Sequence, residues 1–225
     1  MKKLLFISLL LSLNILACEL PAPKIVSYDL SHKDAVLKIA FEDVFKFFCG
    51  SAAVTLGFMA EEQFIEANKA EMDKILTNPH STIEVLLAED KVAGFVEFNK
   101  TREQSIESMI KMMADQGLPA VTPEQLAFAL PQLKKTDEEC KDYALIECLA
   151  VTKDFRGKGY GKALLKYAIE KIKQKWPTLD QVRLTVNESN AVACKLYESV
   201  GFTRNPNQLA MLTMMEIAEY QKSLK

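Results

Sequence analysis

Short apolar runs alternate with amphipathic segments along the second half of the chain. Residues 144–151 are an almost continuous apolar run, which predicts a buried strand. Residues 159–175 repeat apolar positions at helical spacing and predict an amphipathic helix. Residues 182–186 then alternate apolar with polar side chains, which indicates a strand with one buried face. This order of strand, helix and strand is the cleanest series of elements in the sequence.

One further helix and one further strand are predicted after this unit. Ser189 or Asn190 has the side chain needed to cap a helix that runs to Val200. Gly201 follows at the position where a left-handed residue usually ends a helix. Residues 209–217 are apolar and predict the last strand.

The first half of the chain combines helical periodicity with a strand pattern. Residues 25–28 predict a short strand. Ser31 is a candidate cap, with Asp34 in the first turn, for a helix that extends through Phe48. A second helix is expected over residues 60–76.

A hairpin and two more helices are predicted between these halves. The β-rich runs 81–88 and 92–98 are separated by only three residues, Glu89-Asp90-Lys91. Residues 101–114 have helical periodicity, and residues 122–125 carry a capping-box sequence with proline at the first helical position. Helices that alternate with a hairpin and single strands predict an α/β domain with a mixed central β-sheet flanked by helices.

Composition limits the classes of function. The chain has 225 residues, 49% of them hydrophobic, which is enough for a sizeable core. Its 28 Lys+Arg against 30 Asp+Glu give no electrostatic case for a nucleic-acid binder. The 2 His residues and the 5 Cys residues, none in a C-x-x-C pair, argue against a metal site. We therefore expect a globular protein that acts on small molecules or protein side chains.

The N-terminal segment has the parts of a secretory signal. Lys2 and Lys3 precede an apolar run that is too short to span a bilayer comfortably. The sequence 15–18 resembles a bacterial lipobox, in which Cys18 would be lipidated after residues 1–17 are removed. We expect an exported or envelope-associated protein with one domain over residues 24–225. A cytoplasmic protein whose apolar N-terminus belongs to the fold is the alternative.

The segment 151–162 is the part of the sequence that points to chemistry. Glycines between a buried strand and a helix let main-chain N–H groups converge on a phosphate without hindrance from Cβ atoms. The segment fails the P-loop pattern twice, with Arg156 in place of a glycine and Ala163 in place of a hydroxyl residue. It also fails the dinucleotide pattern, because Lys162 replaces the third glycine. The residues predict a pyrophosphate-binding loop of another kind.

The pattern Arg156-x-x-Gly159-x-Gly161 resembles the acetyl-CoA pyrophosphate loop of the GNAT superfamily of N-acetyltransferases. The run 145–151 is similar to the strand that precedes this loop, and residues 190–202, which include Tyr197-Glu198-Ser199, resemble the second conserved block of the superfamily. The resemblance implies the GNAT fold and makes residues 99–143 a helical insertion between the hairpin and the cofactor-binding strand.

The same resemblance implies roles for individual residues. The main chain of Leu149 and Val151 would pair with the pantetheine arm. Asn190 would contact the cofactor, and Tyr197 would act as general acid beside the sulfur. The pyrophosphate would be bound by main-chain N–H groups of the loop and helix start and by nearby positive charge, which together involve Arg156, Gly157, Lys158, Gly159, Gly161 and Lys162.

Glu147 is the candidate general base. Strand alternation would place it on one face with Leu145, Leu149 and Val151, where apolar surroundings raise the pKa of a carboxyl group. A carboxylate paired with a basic residue, or one that binds a cationic substrate, is the structural alternative.

The expected reaction is transfer of an acetyl group from acetyl-CoA to a primary amine, on a small molecule or a protein, in a ternary complex. A catalytically inactive module that binds CoA or a partner at the cell envelope is the alternative. An acyltransferase for longer acyl chains is a third interpretation.

Overall fold

The computed structural model describes residues 22–40, 76–115, 117, 120–129, 133–206 and 217–225. These residues do not include the predicted signal segment 1–17 or Cys18. They also do not include residues 41–48 of the first predicted helix or residues 60–75 of the second. Within the described residues, no helix is long and apolar enough to cross a membrane. The same residues contain no cluster of three acidic, His or Cys side chains arranged to hold a metal ion.

Seven described strands form one mixed sheet. Its spatial order is β1-β2-β3-β4-β5-β7-β6. Neighbouring strands run antiparallel, except for β4 and β5, which are parallel. The strands are β1 (Lys24–Ser27), β2 (Thr82–Ala88), β3 (Lys91–Arg102), β4 (Asp142–Val151), β5 (Gln181–Asn187), β6 (Thr203–Arg204) and β7 (Ile217–Ser223).

Five described α-helices accompany the sheet. They are α1 (Lys33–Ile39), α2 (Ile106–Asp115), α3 (Pro123–Ala129), α4 (Tyr160–Lys175) and α5 (Ala191–Ser199). Helix α4, which the sequence periodicity predicts, connects the parallel strands β4 and β5. Helices α2 and α3 lie in the segment between β3 and β4, where helical periodicity is predicted.

Two apolar clusters form the core. The larger one packs α4 and α5 against the sheet and includes Leu164, Leu165, Ile172, Leu184 and Phe202, each at most 2% exposed. The smaller one packs α1 against β2, β3 and β4 and includes Val36, Val85 and Phe95, each fully buried. The sheet therefore carries helices on both faces, as a mixed sheet buried on two sides requires.

Several predicted helix boundaries are confirmed. Asn190 caps α5, since its Oδ1 accepts a hydrogen bond from the Ala193 N–H at 3.1 Å. Gly201 follows the helix with φ of 89°. The capping box before α3 is also present, because Thr122 and Gln125 exchange side-chain-to-main-chain hydrogen bonds of 2.8 and 3.3 Å.

The cap of the first helix differs from the prediction. Asp29, not Ser31, caps this region, because its Oδ1 accepts a hydrogen bond from the Ser31 N–H at 2.8 Å. A short 3₁₀ turn over Leu30–His32 comes first, and α1 begins only at Lys33.

The bounds of β3 and of the last strand also differ. Strand β3 continues to Arg102 instead of ending at Phe98, because it pairs with the start of β4, where Lys100 Nζ lies 2.6 Å from Asp142 Oδ2. Helix α2 therefore begins at Ile106 and not at residue 101. The last strand runs to Ser223, and of the predicted strand 209–217 only Ile217 lies within the described residues.

Candidate functional site

The sheet splits between its two parallel strands. Pairing of β4 with β5 covers only Ala144↔Val182 to Ile146↔Leu184. Strand β4 continues to Val151, and over this part of the described sheet its edge toward β5 has no strand partner. Main-chain N–H and C=O groups on an unpaired strand edge require partners, and an extended ligand supplies them in the way another strand would. Leu149 and Val151, the two predicted main-chain contacts, lie on this edge.

A bulge interrupts β4 at Glu147. Across the pair β3–β4, Glu97 faces Cys148 but Phe98 faces Ile146, so that Glu147 has no partner in the register. Ile146 and Leu149 are three positions apart, so strict alternation would place them on opposite faces of the sheet. Because of the bulge, both pack against the larger apolar cluster. An extra residue in one strand of an antiparallel pair has this effect on the faces of the strand.

The bulge overturns the environment predicted for Glu147. Strict alternation would have placed this residue in apolar surroundings with Leu145, Leu149 and Val151. The structure instead exposes its side chain, and Glu147 Oε1 accepts a hydrogen bond from Asn99 Nδ2 at 3.1 Å. Glu147 is therefore a solvent-accessible carboxylate held by an amide at the point where the sheet splits.

Glu97 is the buried carboxylate of this region, and sequence reasoning missed it. The residue is 4% exposed, and its Oε1 accepts a hydrogen bond of 2.6 Å from Ser81 Oγ. Burial raises the pKa of Glu97, the charge of Glu147 raises it further, and the Ser81 hydroxyl acts in the opposite direction. The sequence does carry a signal for this carboxylate, because Glu97 is an acidic residue inside the otherwise apolar run 92–98.

Two glycines of the loop after β4 adopt left-handed conformations. A 3₁₀ turn over Lys153–Phe155 is anchored by the buried Phe155 side chain. Gly157 and Gly159 follow with φ of 75° and 81°. A Cβ at either position would meet no atom within 4 Å, so the surface beside both residues is open to a ligand.

Main-chain N–H groups converge at the start of α4. No main-chain acceptor in the described structure takes a hydrogen bond from the N–H groups of residues 157–162, and the first helical bond runs from the Ala163 N–H to Gly159 O at 3.0 Å. These unpaired donors and the positive end of the helix dipole favour an anion.

Arg156 contributes differently from the prediction. Its N–H already donates to Lys153 O at 3.2 Å, because the 3₁₀ turn closes there. Its side-chain Nε donates to Val151 O at 2.9 Å. Arg156 therefore ties the loop to the end of β4, and the free donors begin at Gly157.

The remaining predicted loop residues surround these donors. Lys158 and Lys162 are exposed, and Lys158 Nζ lies 4.8 Å from the centre of the Phe155 ring and 4.0 Å from Glu89 Oε1. Gly161 lies where α4 meets α5, since a Cβ there would lie 3.4 Å from Leu196 Cδ2. A methyl group at this position would make an ordinary van der Waals contact with α5.

Tyr197 lies in α5 with its ring almost fully buried. The side chain is 8% exposed, and ring centres of Phe202 and Tyr220 each lie 6.1 Å away. In the described structure its hydroxyl has no hydrogen-bond partner. Burial raises the pKa of Tyr197, and the thiols of Cys148 and Cys194 raise it further. The hydroxyl therefore stays protonated and lies within electrostatic reach of Cys148 on β4.

Asn190 has a structural task in addition to any contact with a ligand. Its Oδ1 is used to cap α5, so only its side-chain N–H₂ group would be available. Capping also fixes the start of the helix that carries Tyr197.

The geometry brings together an unpaired strand edge, a cluster of N–H donors at one end of it, and a phenol and two carboxylates near the bulge. The donors suit a phosphate group, and the edge suits an extended amide-containing chain. The phenol and carboxylates can donate and accept protons.

Replacing Gly159 with Ala should weaken binding of CoA by about tenfold or more, since an L-residue in the left-handed region costs about 1–2 kcal/mol and adds a methyl group on the open side. Calorimetric titration with CoA measures the affinity. Gly117→Ala is the matched control, because Gly117 also has a positive φ and open space for a Cβ. A comparable loss of affinity in both variants would contradict a specific role of Gly159.

Comparison with known proteins gives one family. A sequence model of the acetyltransferase (GNAT) family matches residues 53–202. No curated protein sequence matches the chain.

Solved structures of low sequence identity share the fold. The PaiA N-acetyltransferase of Thermoplasma acidophilum in complex with coenzyme A is 16% identical, with a TM-score of 0.54 over 90% of this chain and 99% of that one. NAA60 of Arabidopsis thaliana with a bisubstrate analogue is 14% identical, with a TM-score of 0.53 over 91% and 100%. A GNAT-family acetyltransferase of Staphylococcus aureus Mu50 is 13% identical, with a TM-score of 0.53 over 91% and 100%.

Proposed function

The chain belongs to the GNAT family of acetyltransferases, and from this premise we propose that it transfers an acetyl group from acetyl-CoA to a primary amine. The observation that carries the proposal is the split between β4 and β5 beside the N–H donors of residues 157–162. Structures with this fold include one in complex with coenzyme A and one in complex with acetyl-CoA.

Acetyl-CoA, the acetyl donor, would lie along the edge of β4 that has no strand partner. The N–H groups that start at Gly157 would bind the pyrophosphate, with Lys158 and Lys162 adding positive charge. The main chain of Leu149 and Val151 would pair with the pantetheine amides, which leads the thioester toward the bulge.

The chemical step needs one proton donor and one proton acceptor. The amine nitrogen attacks the thioester carbon, a C–N bond forms, and the C–S bond breaks to release the thiolate of CoA. The Tyr197 hydroxyl, which is protonated and has no other partner among the described residues, would donate its hydrogen to that sulfur. Glu147 would take the first proton of the ammonium, because it is the accessible carboxylate at the bulge. The second proton, which the nitrogen loses as the amide forms, would restore the Tyr197 hydroxyl.

A panel assay tests this function. Release of CoA from acetyl-CoA is followed with aliphatic monoamines, diamines, amino sugars and peptides with free N-termini, while calorimetry measures the affinity for CoA. CoA release with one amine class and CoA binding support the proposal. CoA binding without transfer to any amine would favour the inactive module. Faster transfer from longer acyl-CoAs would favour an acyltransferase for longer acyl chains. Absence of CoA binding by folded protein would contradict both acyltransferase interpretations and leave only a module that binds another partner.

We also propose that the protein is exported and held at the cell envelope through Cys18. The motif in residues 15–18 supports this location. The intact mass of the native protein tests it, because removal of residues 1–17 and a lipid on Cys18 each change the mass by a defined amount. A full-length, unmodified chain would favour the cytoplasmic alternative.

A further inference from the structure

The carboxylate of Glu97 is buried with no counter-charge in the described part of the chain. Its neighbours across the sheet are Ile83 on β2 and Cys148 on β4, both in the smaller apolar cluster. The Ser81 hydroxyl at 2.6 Å is its hydrogen-bond donor, and no basic group forms an ion pair with it. An ionised carboxylate in such a position is costly, and groups of this kind occur preferentially at functional sites.

The groups that face Glu97 come from three elements. Strand β4 contributes the Cys148 thiol and the Glu147 carboxylate, whose charge is felt at Glu97. The segment before β2 contributes Ser81, and the cluster members from α1 and β2 are apolar. Among the described residues, the charge that acts on Glu97 is therefore the negative charge of Glu147.

Two observations connect this carboxylate with the reacting groups. Cys148, which faces Glu97 across the β3–β4 pair, directly follows Glu147 on β4, so the two carboxylates flank the same bulge. Asn99, two residues after Glu97 on β3, holds Glu147, and its own Oδ1 is buried without a partner in the described structure. Next to the bulge there is thus one buried acceptor without a donor, Asn99 Oδ1, beside the accessible carboxylate of Glu147, and a protonated amine carries three N–H donors.

On the premise of the proposed acetyl transfer, we propose that Glu97 is a positioning residue that makes the bulge a site for a cationic amine and promotes transfer of the ammonium proton to Glu147. In this step an N–H bond of the ammonium breaks, an O–H bond forms on Glu147, and the neutral amine then attacks the thioester. The substrate class is an aliphatic primary amine, which is protonated at neutral pH. An aromatic amine is already neutral and gains little from Glu97.

Replacing Glu97 with Gln should lower kcat/KM for an aliphatic amine by about tenfold, since one charge near Glu147 is lost. The loss for an aromatic amine should be smaller, as measured with benzylamine and aniline. In the wild type, kcat/KM should fall as the pH drops through the raised pKa of Glu97. This decrease is the acidic limb of the pH profile, and it should move to lower pH in the variant. Gln keeps an acceptor for Ser81, so the fold is expected to persist.

Two further variants separate this role from a structural one. Glu84→Gln is the matched control, because Glu84 is 3% exposed and lies 3.4 Å from a serine hydroxyl but pairs with Val96 and Ser27, away from the bulge. It should leave kcat/KM and the pH profile unchanged. Ser81→Ala removes the hydrogen bond that lowers the pKa of Glu97, so the acidic limb should move to higher pH.

Failure of this inference differs from failure of the proposed function. If the wild type transfers acetyl groups but Glu97→Gln retains its rate, its selectivity and its acidic limb, the role of Glu97 is contradicted and the function stands. If no amine is acetylated, calorimetry with n-butylammonium decides the binding part. Weaker binding in Glu97→Gln supports the cationic site, and equal affinity overturns it.

Discussion

Replacing Tyr197 with Phe is expected to lower kcat by at least about 100-fold, because a positioned general acid contributes about 10²–10⁴-fold to the rate of a proton-dependent step. The variant removes one oxygen atom that makes no hydrogen bond to the described residues, and the ring keeps its contacts with Phe202 and Tyr220. Loss of a hydroxyl that bonds to no described residue should cost little folding stability. The affinity for acetyl-CoA, which rests on main-chain groups, should also be retained.

Steady-state kinetics with the best amine of the panel, calorimetry with CoA and a thermal melt check this expectation together. Tyr167→Phe is the matched control, because Tyr167 lies on α4 with its ring beside Lys171 and belongs to no part of the proposed site. It should behave as the wild type in all three measurements. A Tyr197→Phe variant with an unchanged kcat would exclude the phenol as proton donor, and the thiolate would then leave without help from this residue.

The loop and the helices around it could be predicted because their signals are local. Left-handed glycines, a cap at Asn190 and a terminator at Gly201 depend on a few neighbouring residues, and each is found where the sequence places it. The order of strand, loop, helix and strand follows from the same periodicities. These features bring the N–H donors of residues 157–162 to the end of β4, which is the part of the site that the sequence indicates most directly.

The bulge at Glu147 could not be predicted, because nothing local distinguishes it. It arises from how β3 pairs with β4, where Glu97 faces Cys148 and Phe98 faces Ile146. Periodicity assumes an uninterrupted strand, so it assigned Glu147 to apolar surroundings and overlooked Glu97. The extra residue in β4 leaves Glu147 exposed, whereas Glu97 is buried on β3 between its neighbours Ile83 and Cys148. The extension of β3 to Arg102 has the same origin in cross-strand pairing.

The bulge at Glu147 and the end of pairing with β5 after Ile146 act on the same stretch of β4. The bulge turns Leu149 and Val151 toward the larger apolar cluster, and after Ile146 their main chain has no strand partner on the side of β5. On this part of β4, Val151 O accepts the hydrogen bond from Arg156 Nε. The other side of this stretch is held by β3, where Gly94 pairs with Val151. The position of the free edge therefore depends on how closely β3 approaches β4.

Replacing Gly94 with Ala tests this dependence and should affect stability and cofactor binding together. A Cβ at this position would overlap the carbonyl oxygen of Ala150 and lie 3.2 Å from Val151 Cα, and main-chain atoms in the middle of a sheet cannot yield as a side chain can. Overpacking of this kind costs about 1–3 kcal/mol, which lowers the melting temperature of a chain of this size by about 2–4 °C per kcal/mol. Since β4 must move away from β3 to relieve the overlap, the edge beside Leu149 and Val151 moves with it, and the affinity for CoA should fall.

Gly161→Ala provides the contrast in stability, because its Cβ would meet side-chain atoms at ordinary contact distances, Leu196 Cδ2 at 3.4 Å and Val151 Cγ2 at 3.9 Å. Ala also favours a helix over Gly by about 1 kcal/mol. Thermal melts should therefore show a clear loss for Gly94→Ala and none for Gly161→Ala. If Gly94→Ala is destabilised but binds CoA with wild-type affinity, β4 does not carry the cofactor on its free edge, and the pairing proposed for Leu149 and Val151 is wrong. If its affinity for CoA falls together with its stability, the close pairing of β3 with β4 determines where the thioester lies relative to Tyr197 and Glu147.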